Sequence, residues 1–301
     1  MDKILVLGIN GFTGKHFQDF IVKNKLLKGA SFVGADKAIE KRIGICYKKI
    51  DLSCYKDLEK LILGVAPDYI INFAGIFNSK SFSELENINA GISRNIFEVI
   101  LRNRLTVKNT LLIGSAAEYG LNSNLPIAEE EKLNPVSPYG VSKVIQTVYA
   151  NYYLANFGAN VNIARTFNVV GRYLSELLSV SSFVEQIRKA RNGNKILVGN
   201  LNTKRDFLDI ADVVNAYWKI LMNGKQGQVY NVCRGKSLCI KDILDFLIKR
   251  SGKKISIEVK KEYLRKNDIL DSYGDNSRLK LDTDWKEEKD IFASLSAMLE
   301  E

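Results

Sequence analysis

The chain has 301 residues, the length of one large α/β unit or of two small domains. Lysine and arginine total 44 and aspartate and glutamate total 34, so the formal net charge is +10. Hydrophobic residues make up 46% and charged residues 26%, which is typical of a folded globular protein and excludes a disordered chain. No apolar run approaches the ~18 residues of a membrane span, and the N-terminal apolar stretch is too short for a signal peptide. We therefore expect a cytoplasmic protein with no membrane partner.

Histidine and cysteine usage argues against a metal centre. The single histidine, His16, excludes sites built from several histidines, and we expect it to be a polar surface or cap residue. Basic residues are spread along the chain with acids interleaved, which favours an anionic small substrate or a basic surface over nucleic acid. Neither CxxC nor another metal-ligand spacing occurs among the cysteines, which we expect to be reduced thiols: Cys46, Cys54, Cys233 and Cys239.

Short apolar runs alternate with helical patterns over the first 160 residues. The predicted strands are 3–8, 31–36, 48–51, 68–74, 108–114 and 160–166. The predicted helices are 14–24, 54–63 capped by Ser53, 83–103, and 138–157 opened by Pro138. Apolar strands that alternate with helices predict a parallel sheet covered by helices on both faces.

The pattern becomes less regular after residue 170. The predicted helices there are 180–192, 210–223 and 240–250, and the predicted strands are 195–198, 228–232 and 255–259. We therefore predict an α/β fold with a Rossmann-type doubly wound parallel sheet over residues 1–167. Residues 168–301 are expected to form mainly a smaller α/β substrate-binding domain, with some elements returning to the sheet.

A glycine loop lies between the first predicted strand and the first predicted helix. Gly8, Gly11 and Gly14 permit a tight turn and let the backbone approach a pyrophosphate. The helix N-terminus adds free N–H groups and partial positive charge. The motif is weak alone, but its position indicates a dinucleotide site that includes Phe12 and Thr13. A plain glycine turn is the alternative interpretation.

Two aspartates that follow predicted strands bear on the choice of dinucleotide. Asp36 ends the second strand, where a carboxylate can bind both adenosine ribose hydroxyls and repel a 2′-phosphate. This favours NAD, although Lys37 next to it leaves NADP open, and a solvated surface aspartate is the alternative. Asp51, followed by Leu52, is placed to meet the adenine amino group, which is a weaker signal.

Three residues predict a catalytic triad. Tyr139 and Lys143 lie four residues apart on a predicted helix, so their side chains share one face. An ammonium near a phenol stabilises phenolate and lowers the tyrosine pKa from ~10 toward neutral pH, which suits acid–base work. Ser115 follows the fifth strand, at the edge where open parallel sheets bind ligands, and is placed to hold the reacting oxygen.

Five segments in chain order extend these local signals: GINGFTG, NFAG, GSAAEYG, YGVSK and RTFNVVG. In these segments the chain resembles the extended short-chain dehydrogenase/reductase superfamily, in its nucleotide-sugar branch, the NAD-dependent epimerase/dehydratase family. Its C-terminal half is most similar to the GDP-4-keto-6-deoxy-mannose reductase group and the related GDP-mannose dehydratases. The segments behind that similarity are VGNLNTKRDFLDIADVVNAYW, GQVYNVCRGKSLCIKDIL and NSRLKLDTDW.

The resemblance implies a role for each matching position. Ser115, Tyr139 and Lys143 would form the triad, with NAD or NADP as the cofactor. Cofactor contacts are implied at Phe73, Ala74, Gly75 and Asn89. Sugar-nucleotide contacts are implied at Asn168, Arg205, Arg265 and Asp268, with Arg265 serving the diphosphate. Arginine forks match phosphate oxygens and a net charge of +10 suits a dianionic ligand, although surface ion pairing is the alternative for both arginines.

Several positions depart from the family pattern. Ala117 stands where sugar dehydratases carry the acid that protonates the leaving hydroxyl, which argues against a 4,6-dehydratase. Arg172 replaces the usual proline after the TFNxxG glycine, and Lys266 and Asp268 replace the proline and glutamate of an RPxE-like segment. Glu118, beside Ser115 in the loop, is a candidate substrate contact, with a solvated loop acid as the alternative.

We therefore expect an NAD(P)-dependent enzyme that reduces a nucleotide-linked 4-keto-6-deoxy sugar, with Tyr139 as the proton donor. A nucleotide-sugar 4-epimerase with tightly bound NAD is the alternative. The intact triad argues against a third class, a non-catalytic NAD-binding protein on the same fold. The resemblance also suggests a homodimer through helices 84–103 and 138–157, unless the aromatic residues of the second helix belong to the core: Tyr149, Tyr152, Tyr153 and Phe157.

Overall fold

The computed structural model describes residues 1–38, 44–122, 124–264 and 268–300. The strands are β1 (Asp2–Leu7), β2 (Ala30–Asp36), β3 (Cys46–Lys49), β4 (Tyr69–Asn72), β5 (Asn109–Ser115), β6 (Val161–Thr166), β7 (Asn168–Val170), β8 (Lys195–Val198), β9 (Lys204–Asp209), β10 (Val229–Val232), β11 (Ser237–Cys239), β12 (Ser256–Val259) and β13 (Asp271–Ser272). The helices are α1 (Phe12–Lys23), α2 (Tyr55–Val65), α3 (Phe82–Glu86), α4 (Ile92–Arg102), α5 (Pro138–Phe157), α6 (Ser179–Lys189), α7 (Ile210–Asn223), α8 (Ile240–Ser251), α9 (Ser277–Thr283) and α10 (Ile291–Glu300).

Seven parallel strands form the central sheet, in the order β10-β6-β5-β4-β1-β2-β3. The strand order reverses at β1: β2 and β3 extend the sheet on one side, and β4, β5 and β6 on the other. Connections that leave β1 and β4 in opposite directions open a crevice at the carboxyl edge, where ligands bind in such sheets. The predicted Rossmann-type doubly wound parallel sheet is therefore confirmed.

The pattern of burial explains why β1 lies in the middle of the sheet. Its residues Ile4, Leu5, Val6 and Leu7 are all fully buried. Ile4 and Val6 pack in the cluster that includes α1 and α7, whereas Leu5 and Leu7 pack with α2 and α4. Each such side chain contributes about 1.5–3 kcal/mol through burial, so a continuous apolar run is stable only with helices on both faces.

The second half of the chain builds a smaller α/β region and also part of the main core. β11, β9 and β13 form a small sheet with β7 paired to β9, and β12 pairs with β8. Helices α6, α8 and α10 pack around a separate apolar cluster there. β10 returns to the central sheet beside β6, and α7 packs in the same core as β1. The predicted boundary at residues 167 and 168 falls between β6 and β7.

Two local predictions are wrong. Ser53 does not cap α2, which begins after Cys54; instead, the Ser53 hydroxyl donates a 2.6 Å hydrogen bond to Asp51. The predicted helix 83–103 is interrupted between α3 and α4 by a π-helical turn at Asn87–Gly91. Single π-helical turns of this kind are frequent at functional sites, and this one carries a residue of the candidate site.

The described residues include no helix that is both long and apolar enough to cross a membrane. The same part of the chain shows no group of three or more His, Cys, Asp or Glu side chains that could hold a metal ion. All four cysteines are free thiols. His16 lies with its Nε2 2.8 Å from the carbonyl oxygen of Arg172, and its ring is next to Phe12 and Tyr173. It therefore connects α1 to the loop after β7.

Candidate active site

The three residues of the predicted triad come together at the carboxyl edge of the central sheet. Ser115 is the last residue of β5, and Tyr139 and Lys143 lie in the first turns of α5, which packs against β5. α5 begins where the sequence signals a start, with Pro138 in the first turn and the Ser137 side chain accepting a backbone N–H at 3.1 Å. The capping residues thus fix where α5 begins, and thereby where along β5 the side chains of Tyr139 and Lys143 lie.

Tyr139 is half-buried beside Ser115. Burial raises the pKa of Tyr139 to about 12, and a hydrogen bond with the Ser115 side chain opposes that rise in part. The expected lowering of this pKa is not met, because desolvation outweighs the hydrogen bond and the negative charge of Glu118 raises the pKa further. A phenol with a raised pKa stays protonated near neutral pH, so it is suited to donate a proton.

Lys143 is held in a buried position next to the loop that follows β4. Its Nζ donates hydrogen bonds to the Ile113 carbonyl oxygen at 2.8 Å and to Gln146 Oε1 at 3.3 Å. A Cβ atom added to Gly75 would lie 3.6 Å from that Nζ. Desolvation lowers the pKa of Lys143 to about 8, against the opposing attraction of Glu118. The ammonium is therefore desolvated and close to its titration point at neutral pH.

Ser115 is positioned by a capping box that it forms with Glu118. Its Oγ accepts from Ala117 N at 3.2 Å, and its own N–H donates to Glu118 Oε1 at 2.8 Å. The other carboxylate oxygen, Oε2, accepts from Thr147 Oγ1 at 2.6 Å and from Arg165 Nε at 3.0 Å. Glu118 is fully buried and both oxygens bind protein groups. Its assignment as a substrate contact, and the alternative of a solvated loop acid, are therefore both corrected: Glu118 positions Ser115.

A buried polar network continues below Glu118. The Arg165 guanidinium donates to the Tyr119 hydroxyl at 3.2 Å and to the Glu129 carbonyl oxygen at 3.0 Å. The Tyr119 hydroxyl in turn donates to Asn231 Oδ1 at 2.7 Å. These bonds connect the turn after β5 with β6 and β10. The position of Ser115 is therefore stabilised by contacts with two neighbouring strands.

The glycine loop brings the ends of β1 and β4 into contact. Gly8 has a φ of +75°, and a Cβ there would lie 2.5 Å from Ala74 N, so only glycine allows this approach. A Cβ at Gly14 would lie 2.3 Å from the Ile9 carbonyl oxygen, so the first turn of α1 packs directly on the loop. These positions match the demands of a backbone that approaches a dinucleotide.

The start of α1 provides groups that suit a dinucleotide diphosphate. Gly11 flanks the helix, Phe12 and Thr13 open it, and no side chain of the described residues caps it. The first N–H groups therefore remain available to an anion. Asn10 Oδ1 is buried and has no hydrogen-bond partner in the described part of the chain. These residues thus fit the dinucleotide that the loop predicts.

Asp36 links β2 to the glycine loop. Its Oδ2 accepts from Asn10 N at 2.9 Å and its Oδ1 from Lys37 N at 2.7 Å. The Lys37 ammonium lies 3.4 Å from Asp51, after β3. The Leu52 side chain is buried in the core, which leaves only its backbone for a ligand. Asp36 is thus oriented at the end of β2, where an adenosine ribose is expected.

Residues 73–76 follow β4 and are held in place by Asn89. Phe73 packs edge-on against Phe17, with ring centroids 5.2 Å apart. Asn89, on the π-helical turn, is fully buried; its Oδ1 accepts from Ile76 N and its Nδ2 donates to Ser142 Oγ, both at 2.9 Å. The predicted direct contact of Asn89 with the cofactor is therefore corrected to a role in supporting this loop.

The predicted substrate residues are only partly described. Asn168 opens β7, and its Nδ2 donates to the Asp206 carbonyl oxygen at 3.2 Å. Arg205 Nη2 lies 3.4 Å from Asp268 Oδ1, so the ion pair that was the alternative for Arg205 is present. Arg265 lies outside the described residues. Contacts of these residues with a substrate stay predictions.

Sequence reasoning missed two buried polar residues at this site. Asp206, within β9, accepts from Arg234 N and Gly235 N, both at 2.8 Å, and thereby joins β9 to the loop after β10. Desolvation raises the pKa of Asp206 to about 6. Gln146 lies one helical turn beyond Lys143 and contacts it. The available signals were an acid directly before the apolar pair Phe207 and Leu208, and a polar residue three positions from the lysine.

The chain is similar to known proteins over nearly its whole length. The family model described as "NAD dependent epimerase/dehydratase family" matches residues 4–233. GDP-6-deoxy-D-mannose reductase of Pseudomonas aeruginosa is 29% identical, over 99% of this chain and 96% of that protein. UDP-glucose 4-epimerase 2 of Oryza sativa subsp. japonica is 26% identical, over 84% of this chain and 71% of that protein. The structure of RMD from Pseudomonas aeruginosa complexed with NADPH has a TM-score of 0.85 at 26% identity, covering 100% of this chain and 98% of that one.

Proposed function

The chain belongs to the NAD dependent epimerase/dehydratase family, and on that premise we propose that it reduces a nucleotide-linked 4-keto-6-deoxy sugar with NAD(P)H. One observation carries the proposal. Ser115, Tyr139 and Lys143 converge beside the 8–14 glycine loop at the carboxyl edge of the sheet. The 29% identity to a GDP-6-deoxy-D-mannose reductase over 99% of the chain supports this substrate class.

The residues that would hold the cofactor surround the crevice at the carboxyl edge. The glycine loop and the first N–H groups of α1 would bind its diphosphate, Asp36 its adenosine ribose, and Lys143 its nicotinamide ribose. A carboxylate at position 36 repels a 2′-phosphate, so we expect NADH to be preferred over NADPH. When bound, this cofactor supplies the hydride that the ketone carbon receives.

The triad residues bind and protonate the ketone oxygen. Tyr139 donates its phenolic proton to that oxygen as negative charge develops there, and burial keeps the phenol protonated at neutral pH. Ser115, held by its capping box, donates a hydrogen bond to the same oxygen. Lys143 adds a positive charge nearby. The phenol regains its proton from solvent after the alcohol leaves.

The sugar nucleotide would lie between the triad and the smaller α/β region. Arg265 would bind the diphosphate, and Asn168, Arg205 and Asp268 would contact the sugar nucleotide. Ala117 supplies no acid for the loss of a hydroxyl, which favours reduction over dehydration. A net charge of +10 attracts a dianionic substrate.

Nicotinamide absorbance over time tests the proposal. The protein is mixed with NADH or NADPH and with GDP-, dTDP-, CDP- or UDP-linked 4-keto-6-deoxyhexoses; the signal should fall with one of them. Tyr139→Phe should lower turnover about 10²–10⁴-fold while the cofactor still binds. Tyr149→Phe, on the same helix, is the matched control and should retain turnover. Near-normal turnover of Tyr139→Phe would contradict the assignment.

A nucleotide-sugar 4-epimerase is the second candidate. The 26% identity to a UDP-glucose 4-epimerase favours it, as does Asp36, because tightly held NAD suits a reaction without net redox change. An epimerase would leave the absorbance unchanged with every ketosugar and would invert one carbon of a UDP- or GDP-hexose. Analysis of the sugar product therefore distinguishes the two activities.

We also propose that the protein is a homodimer through α4 and α5. Tyr153 is buried in the core, but Val148, Tyr152 and Phe157 of α5 are 56%, 51% and 51% exposed. Large apolar side chains exposed together on one helix are typical of a protein interface. Light scattering should show a dimer, and Val148→Asp with Tyr152→Asp should yield monomers. A monomeric wild-type protein would contradict the proposal.

A further inference from the structure

One amide closes a triangle of hydrogen bonds next to the triad. Gln146 Oε1 accepts from Lys143 Nζ at 3.3 Å, and Gln146 Nε2 donates to the Ile113 carbonyl oxygen at 3.1 Å. The same carbonyl oxygen accepts from Lys143 Nζ at 2.8 Å. Gln146 is 1% exposed and Lys143 is 5% exposed. Water therefore has little access to the ammonium from this side.

We propose that Gln146 is a positioning residue that holds the Lys143 ammonium against the Ile113 carbonyl oxygen. The inference rests on the proposed function, because Lys143 has a task in the reaction only there. A lysine side chain has four rotatable bonds and loses much conformational freedom when it is fixed. Two acceptors on different elements, α5 and β5, define one direction for its Nζ. The amide suits this task because it donates to the carbonyl while it accepts from the ammonium.

The neutrality of the amide matters because of the charges around it. The charged group that acts on the Lys143 ammonium is Glu118, in the turn after β5. Other titratable or charged groups lie on the elements around it: Arg165 on β6, Tyr139 on α5 itself, Arg94, Glu98 and Arg102 on α4, and Glu84 and Glu86 on α3. Glu118 is paired with Arg165, and Glu98 accepts from Tyr153. A neutral partner at position 146 therefore leaves the lysine able to titrate near neutral pH.

Two substitutions should move the pKa of Lys143 in opposite directions. Gln146→Glu places a carboxylate next to the ammonium, which should raise that pKa by about 1–3 units. Gln146→Leu removes a charge-assisted hydrogen bond and should lower it by about 1 unit. A residue that only fills space would not produce shifts of opposite sign.

The pH dependence of cofactor affinity measures this pKa without any sugar. NADH is titrated into the full-length protein and binding is followed by NADH fluorescence. The titration is repeated from pH 6 to pH 10 in steps of about one pH unit. Affinity of the wild type should fall on the alkaline side with an apparent pKa of about 8. The midpoint of this alkaline limb, the part of the profile where affinity falls with pH, should move to higher pH for Gln146→Glu and to lower pH for Gln146→Leu. The alkaline limb of the kcat/KM profile should shift in the same direction.

Two controls separate positioning from stability. In a Lys143→Met background the alkaline fall in affinity should be absent, and neither Gln146 substitution should restore it. Gln186→Leu removes another glutamine that bonds a backbone carbonyl, the Leu197 oxygen on β8, and should leave the limb in place.

An unchanged limb in Gln146→Glu, which keeps the shape of glutamine, would overturn the inference. So would shifts of the same sign in the two Gln146 variants. Failure of the wild type to reduce any ketosugar would count against the proposed function, and is visible independently of the affinity titration.

Discussion

Replacing Glu118 with glutamine tests whether a buried ion pair positions Ser115. The two partners are almost inaccessible, with Glu118 0% and the Arg165 side chain 4% exposed, and Arg165 Nε lies 3.0 Å from Glu118 Oε2. Glu118→Gln removes the charge but hardly any volume, so Arg165 keeps a buried positive charge without its counter-charge. One carboxylate oxygen also becomes an N–H donor, which cannot accept from Ser115, Thr147 or Arg165.

The expected loss of stability follows from these contacts. Removing one partner of a buried ion pair costs about 3–5 kcal/mol. Arg165 keeps its bonds to the Tyr119 hydroxyl and the Glu129 carbonyl oxygen, so we expect the lower end, about 3 kcal/mol. That is a large share of the ~5–15 kcal/mol that stabilises a typical domain. Arg165 and Thr147 both donate to the same carboxylate oxygen, so the new amide keeps its oxygen on their side and turns its NH2 group toward the Ser115 N–H, which loses its acceptor. A misplacement of ~1 Å can lower turnover about 100-fold.

Urea unfolding followed by circular dichroism measures the loss. Glu176→Gln, at an exposed position, is the matched control and should change the free energy of unfolding by less than ~0.5 kcal/mol. Arg165→Met should cost much less in the Glu118→Gln background than in the wild type, because the isolated charge is then gone. A loss below ~1 kcal/mol for Glu118→Gln, with an unchanged denaturant slope, would refute the reasoning.

Two further predictions concern the lysine and the glycine loop. The pKa of Lys143 is lowered from 10.5 to about 8 in the folded state, so the buried charge destabilises the fold below pH 8 and this penalty disappears as pH rises toward 10.5. Lys143→Met should therefore raise the free energy of unfolding by about 1–3 kcal/mol at pH 7, and urea titrations should show the gain shrinking between about pH 8 and pH 10.5, while turnover is lost. Gly8→Ala should destabilise the protein by more than ~2 kcal/mol and weaken NADH binding, because its Cβ would lie 2.5 Å from Ala74 N at a φ of +75°. Gly64→Ala, in α2 with nothing within 4 Å of the new Cβ, should instead stabilise it by roughly 0.5–1 kcal/mol; equal effects of the two would contradict the steric argument.

Local signals in the sequence determined most of the elements. The predicted helices 138–157 and 210–223 coincide with α5 and α7. α5 starts at Pro138 and ends before Gly158 at a φ of +66°, and α7 is capped by Asp209, whose side chain accepts a backbone N–H at 2.7 Å. Such signals act over a few residues, so one sequence is enough to read them. The same holds for the glycine loop and for the order of Ser115, Tyr139 and Lys143, because strand and helix positions bring them to one edge.

Only the tertiary structure decided the environment of those residues. Nothing in GSAAEYG shows that Glu118 is buried, because its counter-charge, Arg165, comes from a strand 47 residues later. The π-helical turn that places Asn89 against residues 73–76 likewise depends on packing against α5. The pKa values of Tyr139 and Lys143 follow from desolvation, and not from their spacing of four residues. Burial and pairing depend on distant parts of the chain. The sequence alone therefore determined that Ser115, Tyr139 and Lys143 meet at one edge of the sheet, and the fold determined their charge states and the partners of the residues around them.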